Sequence, residues 1–392
     1  MSSEKLSATG LASDAAQAST STESNSPARK TSSRRSFLKR SMAAGAATVG
    51  AGMLVRGVPA FAAETTSSAI TKGDLAILRF LAAAELIESD LWTQYSELGG
   101  LTPGQLPVET APFKPMNNYQ AALMQLDPDG PQYITSNAND EISHAEFLNA
   151  YLISKGAEPV DLDAFRTLPS SQADGAEQIG RLTNLMNLTI DTSWYTRYRS
   201  TENPDFGATF PQAIDLVNVT GIPRDNGDFA PTRHVQAIAN TAAFHFGTIE
   251  QGGSTLYSAM AQKAHNVEVL RIVVSIGGDE VAHFLEWVDF SGNGVQPPVA
   301  PFTDPVSGLT FPNFDATVDP SLQTNLIFPV PCEFISPDLP RCAVIRPTNP
   351  NGIAAGVVNF LTAMNLFQGQ SPEFFSTLKG LAAAADAATR GF

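Results

Sequence analysis

Cysteine is almost missing from this chain of 392 residues: only Cys332 and Cys342 occur, and neither has a histidine nearby. Two thiolates without an imidazole leave a metal under-ligated, which speaks against a thiolate site. The pair is expected instead to close a small surface loop in an oxidising compartment. Basic residues are scarce too, with 24 Lys and Arg against 39 Asp and Glu, a formal charge of −15. That excess opposes contact with polyanions, so nucleic acid is not expected as a partner. The apolar run from Ser41 to Val55 is too short and too rich in Ala and Gly to anchor the chain in a bilayer. A nucleophile elbow, a reactive-cysteine context and a phosphate-cradling glycine loop are all lacking, which disfavours Ser- or Cys-based hydrolysis and phosphate-loop chemistry.

What is present begins with an address. Ser33-Arg34-Arg35-Ser36-Phe37-Leu38-Lys39 fits the twin-arginine export signature at each consensus position, and Ala60-Phe61-Ala62 behind it reads as a cleavage site. A basic tail on a surface helix would account for neither the arginine pair nor the small-residue triplet. Residues 1–32, rich in Ser, Ala and Thr, read as a disordered extension of this signal. Residues 1–62 are therefore expected to be used by the twin-arginine export machinery and removed, leaving a periplasmic or extracellular protein with no stable membrane anchor. Their loss takes away three acids and eight bases, so that 36 acids face 16 bases and the formal charge becomes −20. Such a surface suits solubility outside the cytoplasm and also attracts metal cations.

The full sequence is 43% apolar, enough for a large core, and beyond residue 62 its apolar residues recur with helical spacing. Leu75 to Leu98 carries the stripe Ile77, Leu81, Ala84, Glu88, Leu91 and Tyr95, started by Thr71 and Asp74 and stopped by Gly99-Gly100. About Pro131 to Lys155 carries Ile134, Ala138, Glu141, Ala145, Leu148 and Leu152. About Val235 to Lys263 and Val267 to Phe290 repeat the theme, with Glu250 and Glu280 as the inward acids. The His265-Asn266 link makes these last two antiparallel neighbours. A further helix is predicted over about Ala176 to Arg199, followed by a loop rich in Pro, Gly and Asp to Arg233 that serves as a crossover. Residues 291–351, dense in Pro, Asn and Asp, read as a long wrap or lid, ending in helices near Ile353 to Leu366 and Pro372 to Ala388.

Glu88 and Glu250 are each followed, after six residues, by a tyrosine, Tyr95 and Tyr257. Seven helical positions are nearly two turns, so acid and phenol share a face roughly 10 Å apart. Each of these helices precedes one bearing Glu-x-x-His: Glu141-Ile-Ser-His144 and Glu280-Val-Ala-His283. Taken singly, a Glu on an apolar face is usually half exposed or salt-bridged, and a His there is a satisfied core residue. Four matched helices are another matter. One carboxylate can bridge two cations while the imidazole one turn on binds one of them, and four carboxylates balance two divalent cations. Asp191 and Tyr198 repeat the acid and tyrosine spacing, so their helix competes with the one bearing Glu250. Glu85, one turn before Glu88, is an alternative ligand. Gly252-Gly253 and Gly277-Gly278 interrupt the third and fourth helices, which predicts close packing or a local bulge at the site.

One Glu from each of two helices and a Glu-x-x-His from each of the other two is the ligand set of ferritin-like di-iron and di-manganese carboxylate proteins. At these residues the chain resembles the ferritin-like superfamily, and within it exported proteins related to plant desiccation-response proteins. Asp140-Glu141-Ile142-Ser143-His144-Ala145-Glu146 is similar to the second-helix motif of ferritins and rubrerythrins. The resemblance implies an all-α four-helix bundle over residues 63–290, with a long crossover, an extra helix and a Pro-rich extension over 291–392. It implies two iron or manganese ions held by Glu88, Glu141, His144, Glu250, Glu280 and His283, with Tyr95 and Tyr257 beside these ligands as candidate catalytic residues. Oxygen or peroxide would be the substrate of a ferroxidase, peroxidase or catalase-like reaction in oxidative or desiccation stress. The long additions would obstruct a storage cage. The alternative is a non-catalytic stress or envelope scaffold with a degenerate or structural metal site.

Overall fold

Thr71 and Asp74 begin the first helix by exchanging hydrogen bonds. Asp74 N donates to Thr71 Oγ1 (3.0 Å), while Thr71 N and Oγ1 donate to Asp74 Oδ2 (3.0 and 2.7 Å). The other oxygen of Asp74 accepts from the backbone of His265 and Asn266 (2.8 and 3.1 Å), so the same carboxylate ties down the short link predicted at those residues. Burial alone would raise the pKa of Asp74; the bonds from Thr71, Asn266 and His265 outweigh it and hold the carboxyl below its usual value.

The computed structural model describes residues 69–99, 117–126, 130–198, 210–290, 301–314, 329–332, 335–344 and 350–390. These belong to the unit Thr66–Phe392; the arginine pair and cleavage triplet lie outside the described residues. In chain order the main elements are α1 (Lys72–Gly99), α2 (Gly130–Ser154), β1 (Leu188–Ile190), α3 (Ser193–Arg197), β2 (Leu216–Val219), α4 (Thr232–Ala261) and α5 (Val267–Phe290). They continue as β3 (Phe302–Thr303), β4 (Thr310–Phe311), β5 (Pro329–Val330), β6 (Cys342–Ala343), α6 (Ile353–Ala363) and α7 (Pro372–Asp386). The strands form three small antiparallel pairs, β1 with β2, β3 with β4 and β5 with β6, which helical periodicity did not predict.

Helices α1, α2, α4 and α5 make the bundle, pairing chiefly as α1 with α2 and α4 with α5. Side-chain contacts across the other two seams give the directions. Trp92 meets Glu250 and Tyr257 meets Glu85, so α1 and α4 are antiparallel. Asn137 meets Trp287 and Tyr151 meets Glu268, so α2 and α5 are antiparallel too. Trp92, Trp287 and Phe246 pack ring on ring in the middle, with centroids 4.6–5.5 Å apart.

The helix expected over 176–199 is not formed: only α3 is helical there, and β1 precedes it. The reason lies on α1. Buried Asp90 accepts hydrogen bonds from the backbone N–H groups of Leu182 (3.0 Å) and Thr183 (2.9 Å), which an isolated helix would have kept for itself. Gly180 also sits so close to Arg166 that a Cβ there would lie 1.9 Å from its carbonyl oxygen. This stretch is pinned against the bundle in an extended path, and Asp191 turns its carboxylate to the backbone of Ser193 and to Gln212.

The expected bridge between Cys332 and Cys342 is not formed either. The register of β5 and β6 sets Cys342 opposite Val330, leaving Cys332 buried and Cys342 exposed. At the far end, Ser371 caps α7 by accepting from Phe374 N (3.2 Å), with Pro372 in the first turn. Asp386 of α7 accepts from the first N–H groups of α6, and Lys263 of α4's end donates to the carbonyls of Asp386 and Ala388. Among the described residues no helix is long and apolar enough to cross a membrane.

Candidate metal centre

Each bundle helix brings an acid to its middle. Glu85 of α1, Glu141 of α2, Glu250 of α4 and Glu280 of α5 are all 0% exposed, with His144 and His283 buried beside them. Two groups of wholly buried ligating atoms share one residue, Glu85, Glu141, His144 and Glu280 in the first and Glu141, Glu250 and His283 in the second; a third, part-exposed group is Asp140, Asp279 and His283. His144 Nδ1 lies 3.3 Å from Glu141, 3.4 Å from Glu85 and 3.9 Å from Glu280. His283 Nδ1 lies 3.1 Å from Glu141 and 3.2 Å from Glu250. Glu141 is the residue shared by the two buried groups.

The structure brings Glu141, His144, Glu250, Glu280 and His283 together with Glu85, the alternative weighed to Glu88. Glu88 feels the charges of Glu141, Glu85 and Glu250 but joins none of these groups. Glu85 lies one turn earlier on the same face, with the Tyr257 hydroxyl donating to its Oε1. Tyr95 bonds elsewhere: its hydroxyl lies 2.6 Å from His245 Nδ1 and reaches none of the ligating groups.

Outside the carboxylates is a crossed arrangement that the sequence reading missed. His144 Nε2 points to Asp279 (3.3 Å), and His283 Nε2 points to Asp140 (3.3 Å). The aspartate preceding each Glu-x-x-His thus holds the histidine of the other motif, leaving both Nδ1 atoms turned inward. The signal was available, since Asp-Glu-x-x-His occurs at both Asp140 and Asp279. One more support was not legible: Trp92 Nε1 donates to Glu250 Oε1 at 2.9 Å. The close packing expected at Gly252-Gly253 is found at Gly253, where a Cβ would stand 1.9 Å from Glu280 Oε2. Gly253 is what lets the Glu280 carboxylate lie against α4. Gly277 does the same for Tyr257, whose Cβ would be 2.7 Å from a Cβ at that position.

The electrostatics are those of too many acids in a dry place. Burial, then the charge of Glu141, pushes Glu85 up to about 8; burial raises Glu250 to about 7 against the pull of His283. Burial and the neighbouring acids drive Glu280 and Glu88 well above the carboxylate range. Burial also works against the Glu141 anion, but contacts from His144, His283 and Glu85 hold it below its usual value. His144 rises to about 12 despite its burial, because Asp279, Glu141 and Glu85 surround it, and His283 rises likewise against Glu250, Asp140 and Glu141. Both oxygens of Glu280 and Oε2 of Glu85 are buried without a hydrogen bond. Such atoms cost stability unless a cation meets them, so the donor set fits metal binding in its atom types and in its unsatisfied oxygens.

Comparison with known proteins gives a single kind of match: the Ferritin-like domain family covers residues 73–285, from the start of α1 almost to the end of α5. No curated protein and no solved structure matches the chain. The matched span takes in more than half of the chain, the four bundle helices and both ligating groups. This chain belongs to the ferritin-like domain family.

Proposed function

We propose that this chain holds two cations, iron or manganese, among α1, α2, α4 and α5, and uses them for redox chemistry on dioxygen or peroxide. The sharing of Glu141 between two groups of buried donors is the observation that carries this reading. A bound pair of such ions would supply electron exchange with the oxidant. The chain's own part is positioning and protection. Glu141 reaches both positions, and Asp279 and Asp140 keep the Nε2 protons so that each Nδ1 offers its lone pair inward. The Tyr257 hydroxyl orients Glu85, and the Trp92 indole orients Glu250. Asp140 of α2 and Asp279 of α5, at 39% and 42% side-chain exposure, are part-exposed acids beside the site, which suits the approach of cations. Arg34-Arg35 and the residues around them support delivery outside the cytoplasm by the twin-arginine route, which carries folded proteins and so a metal already in place. There, peroxide removal would serve under oxidative or drying stress.

The test is elemental analysis of the folded protein after iron and manganese are both offered. Two ions per chain, falling below one in Glu141→Ala, is the expected outcome. Less than one ion per chain, unchanged by that substitution, would remove the proposal.

A further inference from the structure

Acids outnumber bases 39 to 24 in this chain, yet one surface cleft is lined the other way. It lies between α1 and α7, measures about 430 Å³, and brings Lys72 and Arg79 of α1 together with the apolar side chains of Leu75, Ala76, Leu381 and Ala384. Glu158, in the link after α2, is the one acid that lines it. The volume falls in the range of roughly 300–1,000 Å³ usual for small-ligand sites.

Small residues make the space. Gly73 lets α1 close on the chain just past α7, where a Cβ on the glycine would stand 3.2 Å from Ala388 Cβ. Beyond that contact the facing positions carry alanine, Ala76 on α1 and Ala384 on α7, and the gap between the helices stays open.

Spacing along α1 sets the chemistry. Ala76 is four residues past Lys72 and Arg79 is seven, so all three share a face, with the two cations roughly 10 Å apart along the axis. Neither cation has a firm counter-ion. Among the described residues Lys72 makes no ion pair, and Arg79 meets Glu158 at 3.9 Å, with the glutamate side chain 89% exposed. A pair that long and that exposed contributes little. Two cations held apart over an apolar strip match a molecule with an anion at each end and methylenes between.

We infer that this cleft binds an aliphatic dicarboxylate of roughly eight carbons, a length that spans the separation of the two cations. One carboxylate meets the Lys72 ammonium. The other takes the Arg79 guanidinium through two parallel N–H donors and displaces Glu158 into water. The methylenes cover Leu75, Ala76, Leu381 and Ala384. A single carboxylate would leave one of the cations unanswered. None of these residues belongs to the ligating groups of the carboxylate cluster, so the cleft is independent of any cation held there.

Isothermal titration of octanedioate into the whole protein is the test, and saturable one-to-one binding is expected. Succinate should bind far more weakly, since each methylene withdrawn from an apolar cleft costs up to about fourfold. Octanoate should bind about three- to tenfold more weakly than octanedioate, and 1,8-diaminooctane should not bind. Lys72→Gln and Arg79→Gln should each bring octanedioate down to the affinity of octanoate, whereas Lys379→Gln, on α7 but outside the cleft, should leave it unchanged. Ala384→Leu fills the cleft without touching a charge and should weaken binding by about tenfold or more. Melting curves identify any variant that fails to fold, and the remaining ones then carry the reading. No saturable binding of octanedioate, equal affinity for octanoate, or an affinity indifferent to Ala384→Leu would each overturn the inference.

Discussion

Asp140 and Asp279 have no place in a Glu-x-x-His pattern, yet each holds the histidine of the opposite motif. Asp279→Asn keeps the size and loses the charge that sets the His144 tautomer, and Asp140→Asn does the same for His283. Partners of this kind typically contribute 10–100-fold to cation affinity, so each variant is expected to bind iron or manganese roughly that much more weakly while melting as the parent does. Isothermal titration would show it, and parental affinity would rule out the crossed arrangement as a support. At the same scale, Glu88 shows how close two readings can lie. Spacing to Tyr95 favoured Glu88, but Glu85 and Glu88 share a helical face, and periodicity alone does not choose between residues one turn apart. From another helix the Tyr257 hydroxyl donates to Glu85, a contact that no pattern along α1 could show.

Among the elements, the bundle helices were the most legible. Val267–Phe290 has the bounds expected from its stripe, and α1, α2 and α4 agree within a few residues. Each carries its own start signal or its own apolar face, which are local properties. The stretch 176–199 was misread because its apolar spacing is answered by Asp90 of α1, far away in sequence. Glycines inside α4 give a sharper test of packing. Gly252 has nothing within 4 Å of where a Cβ would stand, so Gly252→Ala should stabilise the helix by up to about 1 kcal/mol. Gly253→Ala drives a methyl into Glu280 Oε2 and is expected to displace that carboxylate, with loss of bound cation. Melting curves and metal content measured on both variants separate the two effects; equal behaviour would contradict the close approach.

For the whole molecule, the buried acids link stability, cations and pH. In the metal-free fold Glu85 and Glu250, at about 8 and about 7, keep protons that the unfolded chain releases near 4.5. The folded state binds more protons in that window, so the metal-free protein should lose stability as pH rises from 4.5 to about 8. His144, raised from 6.5 to about 12, acts in the same direction above 6.5. Melting under chelator checks the sign, and a midpoint that rises across this window would refute it. Cations take the place of those protons, so their affinity should increase over the same range. Saturating metal should also raise the midpoint, by the equivalent of about 2.7 kcal/mol at a hundredfold excess over the dissociation constant.

The sequence by itself determined that four helices carry inward acids, that two of these lead a Glu-x-x-His, and that the chain is strongly acidic, at a formal charge of −15. These follow from the periodicity and chemistry of single segments. Only the tertiary structure decided that Glu85 groups with Glu141, His144 and Glu280, that each aspartate crosses to the other histidine, that Gly253 faces Glu280, and that Tyr95 pairs with His245. Each of these is a meeting of two helices, set by their relative height and rotation, and a pattern read along one helix carries no information about either.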